Sequence, residues 1–374
     1  MVDRETTLLR RAGHEVISHE RASDEIPSLS QVDRALVPPR IIWSGPERRR
    51  LSRLLQRARP DVVHLHNTFP LLSPSVLAAC RQHGVPVVLT LHNYRLVCAN
   101  GLLTSDAAPC HRCVGRPPVP AVLKGCYRNS PVRTLPVAAM IATHQTLGTW
   151  RRLVDRFVVP SEFARGVMVA GGLPPERLTV KPHFVDDPGS PRHCAGEDVL
   201  YLGRLSPEKG LDLLMRAWER KTAPGRLVIV GDGLQGDQVR MWADGRPDVT
   251  CLGRLEPVRC LELLRRARCL VVPSTFEETF GLVIIEAFAN GIPVIGCALG
   301  AVSELVEDGR SGWVVPAGDA SALADRIDRA LVDPELTQRM GSYARRRYEQ
   351  RYSPTVNLAI LERLYGDVAG RSRP

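Results

Sequence analysis

The sequence predicts an α/β chain of two doubly wound domains, each built on a parallel sheet, and three observations carry that expectation. Short apolar runs alternate with helix-length segments from residue 62 to residue 315, the pattern of repeated βαβ units. A stretch from Pro182 to Glu197, rich in Pro, Gly, Asp and His and without apolar periodicity, interrupts that alternation and reads as a linker. At 374 residues the chain is long enough to bury two cores. The expected division is residues 1–190, residues 191–352, and a closing helix with tail over 353–374.

The elements follow in order. Arg4 to Arg11 fits the end of a helix running into Gly13-His-Glu-Val16. Glu47 to Arg59 is a strongly basic helix with Leu51, Leu54 and Leu55 on one side. Such a helix either packs its leucines on its own sheet, the favoured reading, or lies on anionic lipid. Val62–Leu65, Val85–Leu91 and Arg156–Val159 are expected strands of the first domain. Val199–Leu202, Arg226–Val230, Val249–Leu252, Cys269–Val272, Val294–Gly296 and Gly312–Val315 are those of the second. Apolar positions between Val356 and Tyr365 suit a last helix packing across the domains.

The most informative segment is Pro273-Ser-Thr-Phe-Glu-Glu278-Thr-Phe-Gly-Leu-Val-Ile-Ile-Glu286. It follows an apolar strand closed by proline, so Glu278 falls in a strand-to-helix loop at the carboxyl edge of the sheet, where open α/β folds bind ligands. Gly281 to Asn290 reads as a helix, and eight residues at 3.6 per turn would bring Glu286 back to the side of Glu278. Both carboxylates accept hydrogen bonds from hydroxyl-rich ligands; a solvated helix face is the bland alternative. Gly203-Arg-Leu-Ser-Pro-Glu-Lys-Gly210 also follows a strand. There Arg204 offers a planar fork and Lys209 a point charge, a pair suited to a diphosphate. Gly231-Asp-Gly-Leu-Gln-Gly236 matches the dinucleotide fingerprint literally. It lies in mid-domain, and no acid ends the next strand, so a nicotinamide enzyme is not expected.

Cys98, Cys110, Cys113 and Cys126 form C-x11-C-x2-C-x12-C in an insertion over 98–126. Four thiolates at that spacing suit a structural zinc; an iron–sulfur cluster or four unmetallated thiols are the alternatives. His64 and His66 share one face of a strand, which suggests a metal, but no third ligand is evident nearby. His66-Asn67 reads as cleft lining and His64 as core.

Together these segments resemble glycosyltransferase family 4, retaining enzymes of the GT-B fold. The glutamate pair matches that family's E-x7-E, Gly203–Gly210 its G-R-x-x-x-x-K-G loop, and Leu227-Val-Ile-Val-Gly-Asp-Gly233 its next strand and turn. Asp61-Val-Val-His-Leu-His66 and Thr90-Leu-His92 resemble the corresponding strands of the amino-terminal domain. The resemblance implies two Rossmann-like domains facing an interdomain cleft and a nucleotide diphosphate sugar as donor. The acceptor would be a glycan or lipid-linked hydroxyl. It further implies that Gly203, Arg204, Lys209, Gly231, Phe280, Gly281 and Leu282 surround the nucleotide and its phosphates. Glu286 would bind the ribose, Glu278 the transferred sugar, and His92 the sugar or the reacting oxygen. No catalytic metal is implied, since cations and a helix N-terminus serve the phosphates. The family ordinarily opens with a strand and a glycine-rich turn ahead of the first helix; here too few residues precede Gly13 for both.

The formal charge is +10, carried by 46 Arg and 4 Lys, but aromatics are 5% of residues and no nucleic-acid motif is present, so nucleic acid is not an expected partner. No apolar run spans a bilayer and no leader is recognised, so the expected place is the cytoplasm, with peripheral contact at the inner face of the membrane. A hexosyltransferase of polysaccharide or cell-envelope synthesis is the expectation. A nucleotide-sugar epimerase of the same fold, or an inactive binding chain lacking its first strand, are the alternatives.

Overall fold

The computed structural model describes residues 1–106, 108–189 and 196–370. Within the expected linker, residues 190–195 lie outside them. The chain divides into two compact units: Met1–Ser105 with Cys110–Lys181 and Leu358–Pro374, and Asp106–Pro109 with Pro182–Asn357.

The first unit holds β1 (Val63–Leu65), β2 (Val87–Thr90), β5 (Arg156–Val159) and β6 (Leu178–Val180) in that order, all parallel. A two-residue ribbon, β3 (Thr104–Ser105) and β4 (Ala108–Pro109), lies between β2 and β5 in the chain. Alternation along the strands sorts their side chains onto two faces. Val87, Leu89, Phe157 and Val159 enter the main core. Val88 and Val158 enter a smaller one covered by Leu364 and Val368 of the last helix, Pro354–Gly370.

The basic helix runs Gly45–Ala58, started by the Ser44 side chain accepting from the Glu47 N–H. Its Leu51 and Leu55 are buried in the main core, so it packs its leucines inward. The first helix spans Val2–Arg11, and His14–Ile17 has no regular structure. Among the described residues no strand precedes β1.

The second unit is a six-stranded parallel sheet in the order β12-β11-β10-β7-β8-β9. Its strands are β7 (Asp198–Leu202), β8 (Leu227–Val230), β9 (Val249–Gly253), β10 (Ala267–Val272), β11 (Val294–Cys297) and β12 (Gly312–Val315). Val199, Tyr201, Ile229, Val271 and Ile295 feed one core, whereas Leu200, Val228, Leu270, Val272 and Val294 feed the other. Helices therefore cover both faces, as doubly wound sheets require. No helix among the described residues is long and apolar enough to cross a membrane.

Candidate active site

In the second unit the carboxyl ends of β7, β8 and β10 bring the predicted donor residues together. Two glycines make the close approach: a Cβ on Gly231 would fall 1.8 Å from the Gly203 carbonyl oxygen, and one on Gly210 1.8 Å from that of Pro273. Both also have positive φ, +146° and +74°, which only glycine adopts without strain. Gly203, Arg204, Gly231, Asp232, Gly233, Arg254, Leu282, Val283 and Glu286 line one open depression of about 510 Å³.

Lys209 and Glu278 meet directly. The Lys209 ammonium donates to Glu278 Oε1 at 2.6 Å, and Ser274 Oγ donates to the same oxygen at 2.8 Å. Glu278 is buried and Lys209 is one-fifth exposed, with its nitrogen 4.9 Å from the centre of the Phe276 ring. Arg204 is the opposite case. Its side chain is 65% exposed and reaches Glu208 at 3.1 Å, so its guanidinium is available to a ligand.

The helix after the loop runs Leu282–Ala289, with Gly281 (φ +101°) as N-cap and buried Phe280 before it. This corrects the expected relation of the two glutamates. Glu278 precedes the helix, so the eight-residue spacing fixes no shared azimuth. Loop geometry sets Glu278 against Lys209, while Glu286 lines the depression from the helix with Leu282 and Val283.

In the first unit His92 follows β2 and sits in a histidine cluster. His92 Nε2 and His66 Nδ1 are 3.0 Å apart with rings stacked at 5.2 Å. Burial holds both imidazoles down to about 4, so both are neutral at pH 7. His64 uses both ring nitrogens, on Tyr365 OH and Thr90 Oγ1, each at 2.7 Å. Beneath them lies a pair that the sequence reading missed. Lys181 Nζ donates to Glu5 Oε1 at 2.8 Å, with 1% and 2% of the two residues exposed. Glu5, His64 and His66 bring ligand atoms within 4.8 Å of one another, supplying the third group the sequence did not reveal. They do not suit a cation: an ammonium already occupies the carboxylate, and His64 has no nitrogen to spare.

The four insertion cysteines are free thiols. Burial foremost pushes Cys113 up to about 11, and Cys98, Cys126 and Cys110 are close enough to add to it. Cys98 donates its S–H to Asn100 Oδ1 at 3.0 Å. Among the described residues no three of these sulfurs stand within 4.8 Å of one another, so they are gathered without forming a ligand set.

Comparisons with known proteins divide as the chain does. Residues 2–187 match the model of Glycosyltransferase Family 4 and residues 194–347 that of Glycosyl transferases group 1. The chain is 34% identical over 246 residues to a phosphatidyl-myo-inositol mannosyltransferase of Mycobacterium leprae, covering 60% of this chain and 62% of that protein. It is 30% identical over 303 residues to a D-inositol 3-phosphate glycosyltransferase of Frankia alni, covering 76% and 69%. The chain spans about three-fifths of the length of the first relatives it matches. Among solved structures, Anabaena HepE in complex with UDP superposes with a TM-score of 0.63 at 22% identity, over 84% of this chain and 81% of that one. Sucrose-phosphate synthase of Thermosynechococcus elongatus gives 0.66 at 22%, over 87% and 77%. At that identity the likeness concerns the GT-B fold.

Proposed function

The chain belongs to glycosyltransferase family 4, and from that premise we propose that it moves a hexosyl group from a nucleoside diphosphate sugar to an acceptor hydroxyl with retention at the anomeric carbon. One observation carries the reading: two cations, tightly turned glycine backbone and a helix-borne carboxylate are assembled at the ends of β7, β8 and β10.

Arg204 and Lys209 hold the diphosphate, assisted by N–H groups at the start of the helix Leu282–Ala289. Glu286 accepts from the ribose hydroxyls and Glu278 from those of the sugar. The bond from the anomeric carbon to the phosphate oxygen breaks as the acceptor oxygen bonds to the same face. The acceptor's proton passes to the departing phosphate, whose charge the two cations stabilise. The family likeness gives His92, in the first unit, the role of contacting the sugar or the reacting oxygen. Cys98, Cys110, Cys113 and Cys126 would hold a structural metal ion only with their sulfurs drawn closer together than they stand here.

Acceptor access from a membrane surface is assigned to other helices than the basic one. Val119 and Leu123, on the short helix Val119–Leu123, and Val132 and Leu135, on the helix Pro131–Thr146, are 57–81% exposed. No Asp or Glu occurs from residue 107 to 154, whereas Arg116, Lys124, Arg128 and Arg133 flank those side chains in sequence. Exposed apolar side chains in a segment whose only charged residues are cations complement anionic lipid.

Calorimetric titration of UDP, GDP and ADP tests the central claim. Saturable binding of one, lost in Lys209→Ala, supports it; no binding of any overturns it. Donor turnover without acceptor would favour an epimerase.

A further inference from the structure

We propose that Glu5, acting through His66, fixes which ring nitrogen of His92 carries its proton. The Lys181 ammonium occupies Glu5 Oε1, and the second oxygen, Oε2, is buried with no hydrogen-bond partner. It faces His66 Nε2 at 3.5 Å. His66 Nδ1 in turn faces His92 Nε2 at 3.0 Å. Three groups from distant parts of the chain therefore stand in line, ending on the histidine that follows β2.

A neutral imidazole has one N–H and one lone pair, and what its neighbours require decides the arrangement. A proton on His66 Nδ1 would leave the Nε2 lone pair facing a buried carboxylate oxygen. A proton on Nε2 replaces that repulsion with attraction to a charge. His66 Nδ1 is then the acceptor, so the proton between the rings belongs to His92 Nε2. His92 Nδ1 is left as its unprotonated nitrogen. Lys181 balances the carboxylate, so the line holds without charging either ring. Glu5 and His66 are positioning residues: they set the proton of His92 on Nε2 and its lone pair on Nδ1. That a hydroxyl meets His92 rests on the function proposed above; the protonation pattern does not.

The test is a two-bond 1H–15N correlation spectrum of the full chain at pH 7 with 15N-labelled histidine, assigned with His66→Asn. Both His66 and His92 should appear as Nε2–H tautomers; a His92 protonated at Nδ1 overturns the inference. In Glu5→Gln the Lys181 ammonium keeps the amide oxygen on its own side and turns the amide N–H₂ toward His66. Both rings should then switch to Nδ1–H, and turnover should fall about tenfold with donor affinity unchanged. Adding Lys181→Met frees the amide to rotate and should restore the native tautomers. A folded Glu5→Gln chain that keeps its tautomers overturns the inference. If the variant does not fold, the native spectrum decides alone. A switch without loss of turnover supports the relay and removes the role given to His92.

Discussion

Removing Lys209 should weaken both the second unit and its hold on a diphosphate, by amounts the geometry sets. At 2.6 Å, two unit charges in an effective dielectric of ~20 attract by roughly 6 kcal/mol, most of it cancelled by their loss of water. Breaking a fully buried pair costs about 3–5 kcal/mol. Lys209 is one-fifth exposed and Ser274 still donates to Glu278, so about 2 kcal/mol is expected, a fall in Tm of about 4–8 °C. Loss of one charge-assisted bond to phosphate, also about 2 kcal/mol, is roughly 30-fold in Kd. Glu278→Gln separates the two effects, because the amide no longer competes with phosphate for the ammonium. It should bind the free nucleoside diphosphate at least as tightly as the native chain, although sugar transfer falls. Arg204→Ala should cost about 1 kcal/mol in binding and little in Tm, since that side chain is mostly in water. The assays are calorimetry and a thermal double-mutant cycle. Additivity of Lys209→Ala and Glu278→Ala within ~0.5 kcal/mol would refute the coupling, and unchanged diphosphate affinity in Lys209→Ala would refute its role.

Three further outcomes are expected. His66 and His92 titrate near 4 in the folded chain against about 6.5 unfolded. Their contribution is therefore complete above pH 6.5 and lost as pH falls toward 4, by up to ~1.4 kcal/mol per pH unit for each ring. Urea melts of the native chain and of His66→Asn/His92→Asn across that window check this; parallel curves would refute it. Leu123→Ser/Val132→Ser should reduce sedimentation with vesicles containing anionic phosphatidylglycerol severalfold, and pure phosphatidylcholine should bind neither protein; equal binding by both proteins removes the surface assigned to these helices. Metal analysis of purified protein should give close to one equivalent of zinc, lost in Cys113→Ser. Less than a tenth of an equivalent retires the metal site.

What could be read from the sequence follows from how far apart the interacting groups lie. Short apolar runs placed β5 and β12 at their observed bounds and the other predicted strands within a few residues, because a strand buried on both faces announces itself locally. β6 was missed: its three residues run straight into Lys181 and Pro182, which resemble the start of a linker. The loop glycines and Arg204 share short motifs, so their proximity was legible. The Glu278–Lys209 contact was not, since a periodicity argument was applied to a residue that precedes the helix. Glu5 and Lys181 are 176 positions apart, and no local pattern couples a glutamate in the first helix to a lysine directly after a short strand. The only available signal was the oddity of a lysine directly after Leu178-Thr-Val180.

The last helix also dictates an order of events during synthesis. Leu364 and Val368 cover Val88 and Val158, so one face of the first sheet stays bare until the residues beyond 357 have been translated. Residues 182–357 of the second unit form an almost continuous stretch and can collapse while that face is still waiting. The usual amino-to-carboxyl sequence of domain maturation is thereby inverted for that face. A nascent chain stalled before residue 358 would carry a finished second half and a first half with an open apolar face, the species on which a ribosome-associated chaperone would act.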